Sequence, residues 1–166
     1  MAPGVDEAAF TEFVLARSAA LTRTAYLLTS DHQLAEDLVQ TALFKAARAW
    51  DRIAEPEPYV RRILYTENVS GWRRRRHVSE TLTDGYDAPA DDAPDRDLHL
   101  ALEQALGRLT PKQRRVLVLR YYEDLTEVET ARVLGIGVGT VKSTHRQALR
   151  RLRTVAPELG DLIGVP

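Results

Sequence analysis

The sequence predicts an all-α protein: two helical domains joined by a flexible acidic linker, the C-terminal one a helix-turn-helix. Three observations predict it. Apolar residues across 6–29 and 31–50 recur at three- and four-residue steps, the period of helices that bury one face. Residues 79–99 lose that period and hold two prolines, one glycine and seven acids, a composition too polar to bury a core. From Arg108 to Arg153, two capping boxes and a glycine-bearing turn divide three short amphipathic segments. No strand pattern and no internal repeat competes with this reading.

A length of 166 residues fits one or two domains. The net charge of −1 hides a partition. Residues 1–78 carry 11 Lys/Arg against 10 Asp/Glu, residues 79–107 carry 1 against 8, and residues 108–166 carry 11 against 6. A basic C-terminal block beside an acidic connector suggests a nucleic-acid surface with an acidic segment attached. Cysteine is absent, which excludes disulfide and thiol chemistry. The N-terminus MAPGVDEAAF has neither a basic region nor an apolar run, so no signal peptide is expected. No apolar run approaches the ~20 residues of a spanning helix. A cytoplasmic protein without membrane insertion is the expectation.

The first domain is placed at 1–78. Its first helix sets Phe10, Phe13, Val14, Arg17, Leu21, Ala25 and Leu28 along one face, with Asp6 and Glu7 suited to the positive end of the helix dipole. Ser30 and Asp31 open a second helix. Its apolar set is Leu34, Ala35, Leu38, Ala42, Leu43, Ala46 and Trp50, leaving Glu36, Asp37, Gln40, Lys45 and Arg48 outside. Asp51–Pro58 reads as a break with two prolines, tolerated only near a helix start. A third helix is expected over about Glu57 to Arg76, with Val60, Ile63, Leu64 and Val69 toward the core. It ends in WRRRRH, residues 72–77. One reading is a solvated helix end whose cations suit the C-terminal dipole. The other, favoured by the adjacent Trp72, is a phosphate-contacting end with a ring available to stack on a base.

The linker is placed at 79–97 and the second domain at 98–156. Asp95 or Asp97 is expected to cap a helix carrying Leu98, Leu102, Ala105, Leu106 and Leu109. Thr110-Pro111-Lys112-Gln113 is a capping box with proline at the first helical position, and Thr126-Glu127-Val128-Glu129 is a second box. Leu134-Gly135-Ile136-Gly137 is a tight turn before a basic helix, the arrangement that places a recognition helix in the major groove. At 100° per residue, Val141, His145, Ala148, Leu149 and Leu152 gather on one side of this last helix. Lys142, Ser143, Arg146, Gln147, Arg150 and Arg153 gather on the other, with Arg151 at the flank. Gly139–Arg153 contains no acid, whereas an ordinary surface helix mixes both signs. Side chains near the start of a recognition helix reach base edges, and later arginines grip phosphates. Lys142, Ser143, Arg146 and Gln147 are therefore assigned to bases, and Arg150, Arg151 and Arg153 to backbone. His145 falls on the packing side. The tail after Arg153 carries no legible role.

No catalytic pattern emerges. His32, His77, His99 and His145 are scattered without metal-ligand spacing. Gly135, Gly137 and Gly139 precede a helix but lack the preceding strand and the Gly-Lys-Ser/Thr of a phosphate-binding loop. Neither an enzyme nor a cofactor is expected.

The residues resemble those of the extracytoplasmic-function sigma factors, the smallest promoter-specificity subunits of bacterial RNA polymerase, and most of all their actinobacterial branch. Ala35-Glu36-Asp37-Leu38-Val39-Gln40-Thr41 through Phe44-Lys45-Ala46 to Trp50 resembles the family's core-polymerase-binding helix. Tyr59-Val60-Arg61-Arg62-Ile63-Leu64 through Trp72-Arg73-Arg74-Arg75 resembles its promoter-melting helix. Leu106–Arg153 resembles its helix-turn-helix, most specifically at Leu109–Arg114 and Gly139-Thr140-Val141-Lys142-Ser143.

The resemblance implies a transcription initiation factor that binds core RNA polymerase, directs it to promoters and assists melting. Glu36, Asp37, Gln40, Thr41 and Lys45 would meet the clamp helices of the largest subunit. Tyr59, Arg62, Tyr65, Thr66, Asn68, Trp72, Arg73, Arg74, Arg75 and Arg76 would engage the minus-ten element and its displaced strand. The second domain would dock on the flap of the second subunit. There Thr140, Lys142, Ser143, Arg146, Gln147, Arg150, Arg151 and Arg153 would read the minus-thirty-five element. The linker acids either mimic a nucleic acid inside the polymerase or only keep the segment soluble and extended. Many relatives are held by an anti-sigma factor, and the sequence leaves open whether this chain is. Three positions depart from the family pattern: Thr66 stands where Asn is frequent, His145 where an apolar residue is, and Gln147 where a base is. The alternative is a stand-alone helix-turn-helix regulator. It leaves the 31–50 helix and the arginine run unexplained, and it ordinarily needs a dimer to span two half-sites. A helical adaptor binding protein through the acidic linker would leave the acid-free helix without purpose.

Overall fold

The structure, a computed structural model, describes residues 6–76 and 96–160, with backbone alone described at 73, 75–76, 96–99 and 160. The described residues are helical, without a strand, and the chain divides into two compact units, Met1–Gly85 and Tyr86–Pro166.

In the N-terminal unit, α1 (Glu7–Thr29) starts at Asp6, whose carboxylate accepts the Ala9 N–H at 3.1 Å. It stops at Ser30, left-handed at φ 52°, whose N–H bonds the Tyr26 carbonyl at 2.7 Å. Asp31 then caps α2 (His32–Ala49) by accepting the Leu34 N–H at 2.8 Å. This two-residue turn folds α2 back along α1. A 3₁₀ turn, Trp50–Arg52, extends α2 and buries Trp50 against Phe10 and Phe13, with ring centroids at 5.0 and 5.3 Å. The break anticipated over Asp51–Pro58 is shorter than expected. The next helix, α3 (Pro56–Arg76), begins at Pro56 itself, because proline at the first turn lacks only an N–H that no helical partner would use. The core joins Leu21 and Ala25 of α1, Ala35, Leu38, Val39, Ala42 and Ala46 of α2, and Val60 and Leu64 of α3. Alanine at three α2 positions lets the neighbouring backbones approach closely, so long aliphatic side chains from the flanking helices fill the space between.

In the C-terminal unit, α4 (Arg96–Gly107) already includes Asp97, so that residue lies inside the helix rather than capping it; Asp95 lies outside the described residues. Both capping boxes form. Thr110 and Gln113 start α5 (Pro111–Leu117), and Thr126 and Glu129 start α6 (Glu127–Leu134), each pair exchanging side-chain and backbone bonds. Between these helices the chain widens into a π turn, Val118–Tyr122. Gly135, at φ 65°, ends α6. The Ile136 N–H reaches the Ala131 carbonyl at 3.1 Å and the Gly135 N–H reaches Arg132 at 3.4 Å, the two bonds of a Schellman ending. Then α7 (Val138–Val155) buries Val141, Thr144, Ala148 and Leu152 against α5 and α6. The tail is not idle: α8 (Pro157–Gly160) packs on α7 and buries Ala156 and Leu159.

Candidate nucleic-acid and partner interfaces

The α7 surface divides as the helical wheel anticipates, with one addition. Thr144 is buried at 5% exposure, joining the packed stripe, while His145 and Leu149 are half-buried. Lys142, Arg146, Gln147, Arg150, Arg151 and Arg153 are exposed, and Thr140 and Ser143 are half-buried. The Ser143 hydroxyl donates to the Thr140 carbonyl at 3.1 Å. Lys142 Nζ lies 3.7 Å from Glu127 of α6. Among the described residues neither Arg146 nor Arg150 has an acidic partner, so both guanidinium groups remain available to an external anion.

Other arginines of this unit serve its own backbone. Arg114 is buried, and its Nε donates to the Leu106 carbonyl at 2.9 Å and its Nη2 to Leu109 at 3.3 Å. Arg151 Nε donates to the Arg108 carbonyl at 3.0 Å, while Arg108 Nη1 donates to the Val155 carbonyl at 3.1 Å. These cations occupy carbonyls at the ends of α4 and α7, which carry partial negative charge. The structure thus occupies Arg151, assigned to phosphate from sequence, with a carbonyl inside its own unit.

In the N-terminal unit, α2 presents Glu36, Asp37, Gln40 and Lys45 outward, with Thr41 half-buried. Sequence reasoning gave no separate role to Phe44, which lies on the same face at 64% exposure with Arg48 6.0 Å above its ring. Its signal was available: position 44 follows Gln40 by four residues, so an aromatic side chain sits in the phase of the polar face. Exposed apolar side chains in a polar surround mark partner contacts.

On α3, Tyr59, Arg62 and Thr66 are exposed at helical steps of three and four residues, forming one stripe. The Thr66 hydroxyl donates to the Arg62 and Ile63 carbonyls, both at 3.1 Å. Tyr65 and Asn68 do not join that stripe and are corrected. They are 3% and 5% exposed, because steps of four from Val60 and Leu64 carry the inward phase through Asn68, and Tyr65 is adjacent to it. Asn68 faces a cleft of about 120 Å³ with Thr29, Asp37, Thr41, Glu67 and Arg74. Trp72 is half-buried and Arg74 exposed; the side chains of Arg73, Arg75 and Arg76 lie outside the described residues, as do residues 79–95 of the acidic connector. Arg61 is tied down, donating to Glu57 at 3.1 and 3.2 Å and to the Thr24 hydroxyl at 3.2 Å, and Glu57 also meets Arg17 at 2.5 Å. Lys45 pairs with Glu67 of α3.

Glu129 and His145 depart from their ordinary values. The Thr126 backbone N–H, then its hydroxyl, hold the Glu129 carboxyl below the usual range. Burial, then Arg120, push His145 below 6.5, while Glu127 opposes them. His145 Nε2 lies 2.8 Å from the Tyr121 hydroxyl.

Two helical units, one presenting a polar ridge with an exposed aromatic and the other a helix-turn-helix whose second helix carries no acid, define a protein built to join a protein partner to DNA. Comparison with known proteins sharpens this. Residues 13–78 match the family described as Sigma-70 region 2, and residues 105–154 match Sigma-70, region 4. The RNA polymerase sigma-E factor of Streptomyces avermitilis is 42% identical over 149 residues, covering 87% of this chain and 83% of that one. The ECF RNA polymerase sigma factor SigL of Mycobacterium tuberculosis is 33% identical over 172 residues, covering 94% and 97%. Among solved structures, the sigma factor RpoE of Bartonella quintana, in complex with the anti-sigma factor NepR, superposes with a TM-score of 0.66 at 27% identity, covering 88% of this chain and 95% of that one. The chain belongs to the extracytoplasmic-function sigma factors of RNA polymerase. It is a transcription initiation factor that binds core polymerase and promoter DNA. Among the described residues no helix is long and apolar enough to cross a membrane.

Proposed function

We propose that the two units divide the work of initiation between the faces described above. Residues 1–78 form the polymerase-binding and minus-ten domain, 79–97 the connector and 98–156 the minus-thirty-five domain. The α2 ridge of Glu36, Asp37, Gln40, Thr41 and Lys45, extended by Phe44, meets the clamp helices of the largest subunit. The α3 stripe of Tyr59, Arg62 and Thr66, continued by Trp72 and Arg73–Arg76, receives the minus-ten strand. The start of α7, with Thr140, Lys142, Ser143, Arg146 and Gln147, reads base edges, and Arg150 and Arg153 grip phosphates. The flap of the second subunit docks on the same unit. The chain catalyses nothing itself and acts in the cytoplasm, where the polymerase performs the chemistry. An anti-sigma factor is a fitting regulator, since the Bartonella relative was solved bound to one.

The observation that carries this reading is the exposed face of α7, where Arg146 and Arg150 meet no acid among the described residues while the opposite stripe is packed. The test mixes the purified chain with core polymerase and a genomic promoter library, then measures run-off transcription. Core-dependent, promoter-selective transcripts are expected. Tight sequence-specific binding by the chain alone, with no core-dependent transcription, would instead establish the stand-alone regulator. Reversing Arg74 and Arg75 to Glu should reduce open-complex formation at every promoter; unchanged opening would remove those arginines from strand capture.

A further inference from the structure

The Tyr121–His145 pair has no part in that division of work. The π turn carries Tyr121 over α7, where its ring stacks on His145 with centroids 5.6 Å apart and planes 28° apart. The phenol is 52% exposed, whereas the imidazole is half-buried. His145 directly precedes Arg146 and follows Lys142 by three residues, so the phenol lies beside the cationic α7 face. The charged groups around the imidazole are Arg120 from the π turn, Glu127 from α6, and Lys142 and Arg146 from α7. Arg120 also donates to the Leu125 carbonyl, and Glu127 faces Lys142.

The direction of the 2.8 Å bond depends on the tautomer of the neutral ring and on its protonation. In the Nδ1–H tautomer the neutral imidazole accepts from the phenol at Nε2, which spends the phenol's only proton and leaves lone pairs facing outward. A protonated imidazole donates Nε2–H to the phenol oxygen. The phenol O–H then turns outward as a donor. The change consumes one proton from solvent and breaks no covalent bond.

We propose that neutral His145 rests as the Nδ1–H tautomer and that Tyr121 is a further contact to a DNA backbone phosphate, switched on by proton uptake at His145, so that duplex binding by the C-terminal unit and protonation are linked. The inference rests on the DNA-binding reading of this unit. Burial and Arg120 hold the free imidazole largely neutral near neutral pH, and an apposed phosphate favours its cation, so binding tightens as pH falls. The protonated state also makes one more phosphate contact, which steepens the salt dependence of binding by roughly one counterion.

The test uses holoenzyme assembled from core polymerase and the full chain, on a promoter duplex that it selects from the genomic library. Affinity is measured between about pH 6 and pH 8 for wild type, His145→Gln and Tyr121→Phe. Wild type is expected to gain severalfold more affinity toward acid pH than either variant, short of the roughly tenfold limit that a shift of one pKa unit sets well below both values. Tyr121→Phe keeps the exposed ring and removes only the hydroxyl, so it separates lost contact from lost folding. Coincident pH profiles for all three proteins would overturn the inference while leaving the sigma-factor reading intact. Absence of core-dependent binding by every variant would overturn that reading, and this inference with it.

Discussion

The two units use their arginines in different ways. In the N-terminal unit, cations meet acids: Arg17 of α1 and Arg61, one turn further along α3, converge on Glu57, and Lys45 of α2 reaches Glu67 of α3. These pairs link α1, α2 and α3 and leave the α2 face mixed in sign, suited to a protein partner. In the C-terminal unit, Arg114 and Arg151 instead meet backbone carbonyls, and among the described residues Arg146 and Arg150 face outward without an acid. Arg114 and Arg151 saturate the carbonyls between α4 and α5, while Arg146 and Arg150 are exposed on α7. The same residue type therefore serves structure where carbonyls converge and recognition where nothing inside the protein competes for it. Local charge counts do not separate the two roles; the nearest acceptor does.

The most damaging way to test this comparison removes packing rather than charge. Leu64 is fully buried where the three N-terminal helices meet. Leu64→Ala is expected to destabilise that unit by about 2–5 kcal/mol, the range for deleting a buried leucine side chain. Urea denaturation followed by Trp50 fluorescence reads the loss, since Trp50 packs on α1. A loss within roughly half a kcal/mol, the size of an ordinary surface effect, would mean the core does not depend on α3.

Arg114 and Arg146 sharpen the contrast between structural and recognition arginines. Arg114→Met keeps the aliphatic stem but removes the donor to the Leu109 carbonyl and leaves Leu106 only the Leu109 N–H, which should cost about 1–3 kcal/mol of stability. Arg146→Ala should leave the melting temperature nearly unchanged. Its cost should fall on promoter binding, at about 1–3 kcal/mol and selectively by sequence, if it makes a bidentate base contact. Parallel thermal melts and competition binding on the two variants separate the roles. Loss of stability in Arg146→Ala, or of sequence discrimination in Arg114→Met, would collapse the distinction.

How much of this was legible in the sequence follows from the range of each interaction. Both capping boxes and the Gly135 ending were readable because each is closed within four or five residues. The core face of α3 was half readable. Val60 and Leu64 announced it, but the family resemblance, not their phase, assigned Tyr65 and Asn68 to DNA. Thr144 was passed over, although at 100° per residue it lies only about 60° from Val141. The π turn and the Arg114 contacts were not readable, since they depend on where α4 and α7 lie relative to α5. Nor was the packing of α8 on α7, which buries Ala156 and Leu159. Phe44 was visible and unused: an aromatic in a polar phase is conspicuous only once that face is known to be uncovered.

The smallest expected effect tests whether the C-terminal unit depends on local closure. Thr126 accepts the Glu129 N–H at 3.2 Å, and Glu129 accepts the Thr126 N–H at 2.7 Å. Thr126→Ala should cost about 1 kcal/mol, the usual value of an N-cap side chain. Glu129→Gln keeps an acceptor at the same place but removes the charge. The Glu129 carboxyl is held below 4.5 in the folded chain, chiefly by that backbone N–H, so its ionised form stabilises the fold. The contribution is fully present above the unfolded value and disappears as pH falls through the lower, folded value. Wild type should therefore exceed Glu129→Gln in stability near neutral pH, and the two should converge in acid, as read by chemical denaturation at a series of pH values. A gap that persists undiminished in acid would assign the effect to the shape of the side chain rather than its charge, and would leave α6 capped by Thr126 alone.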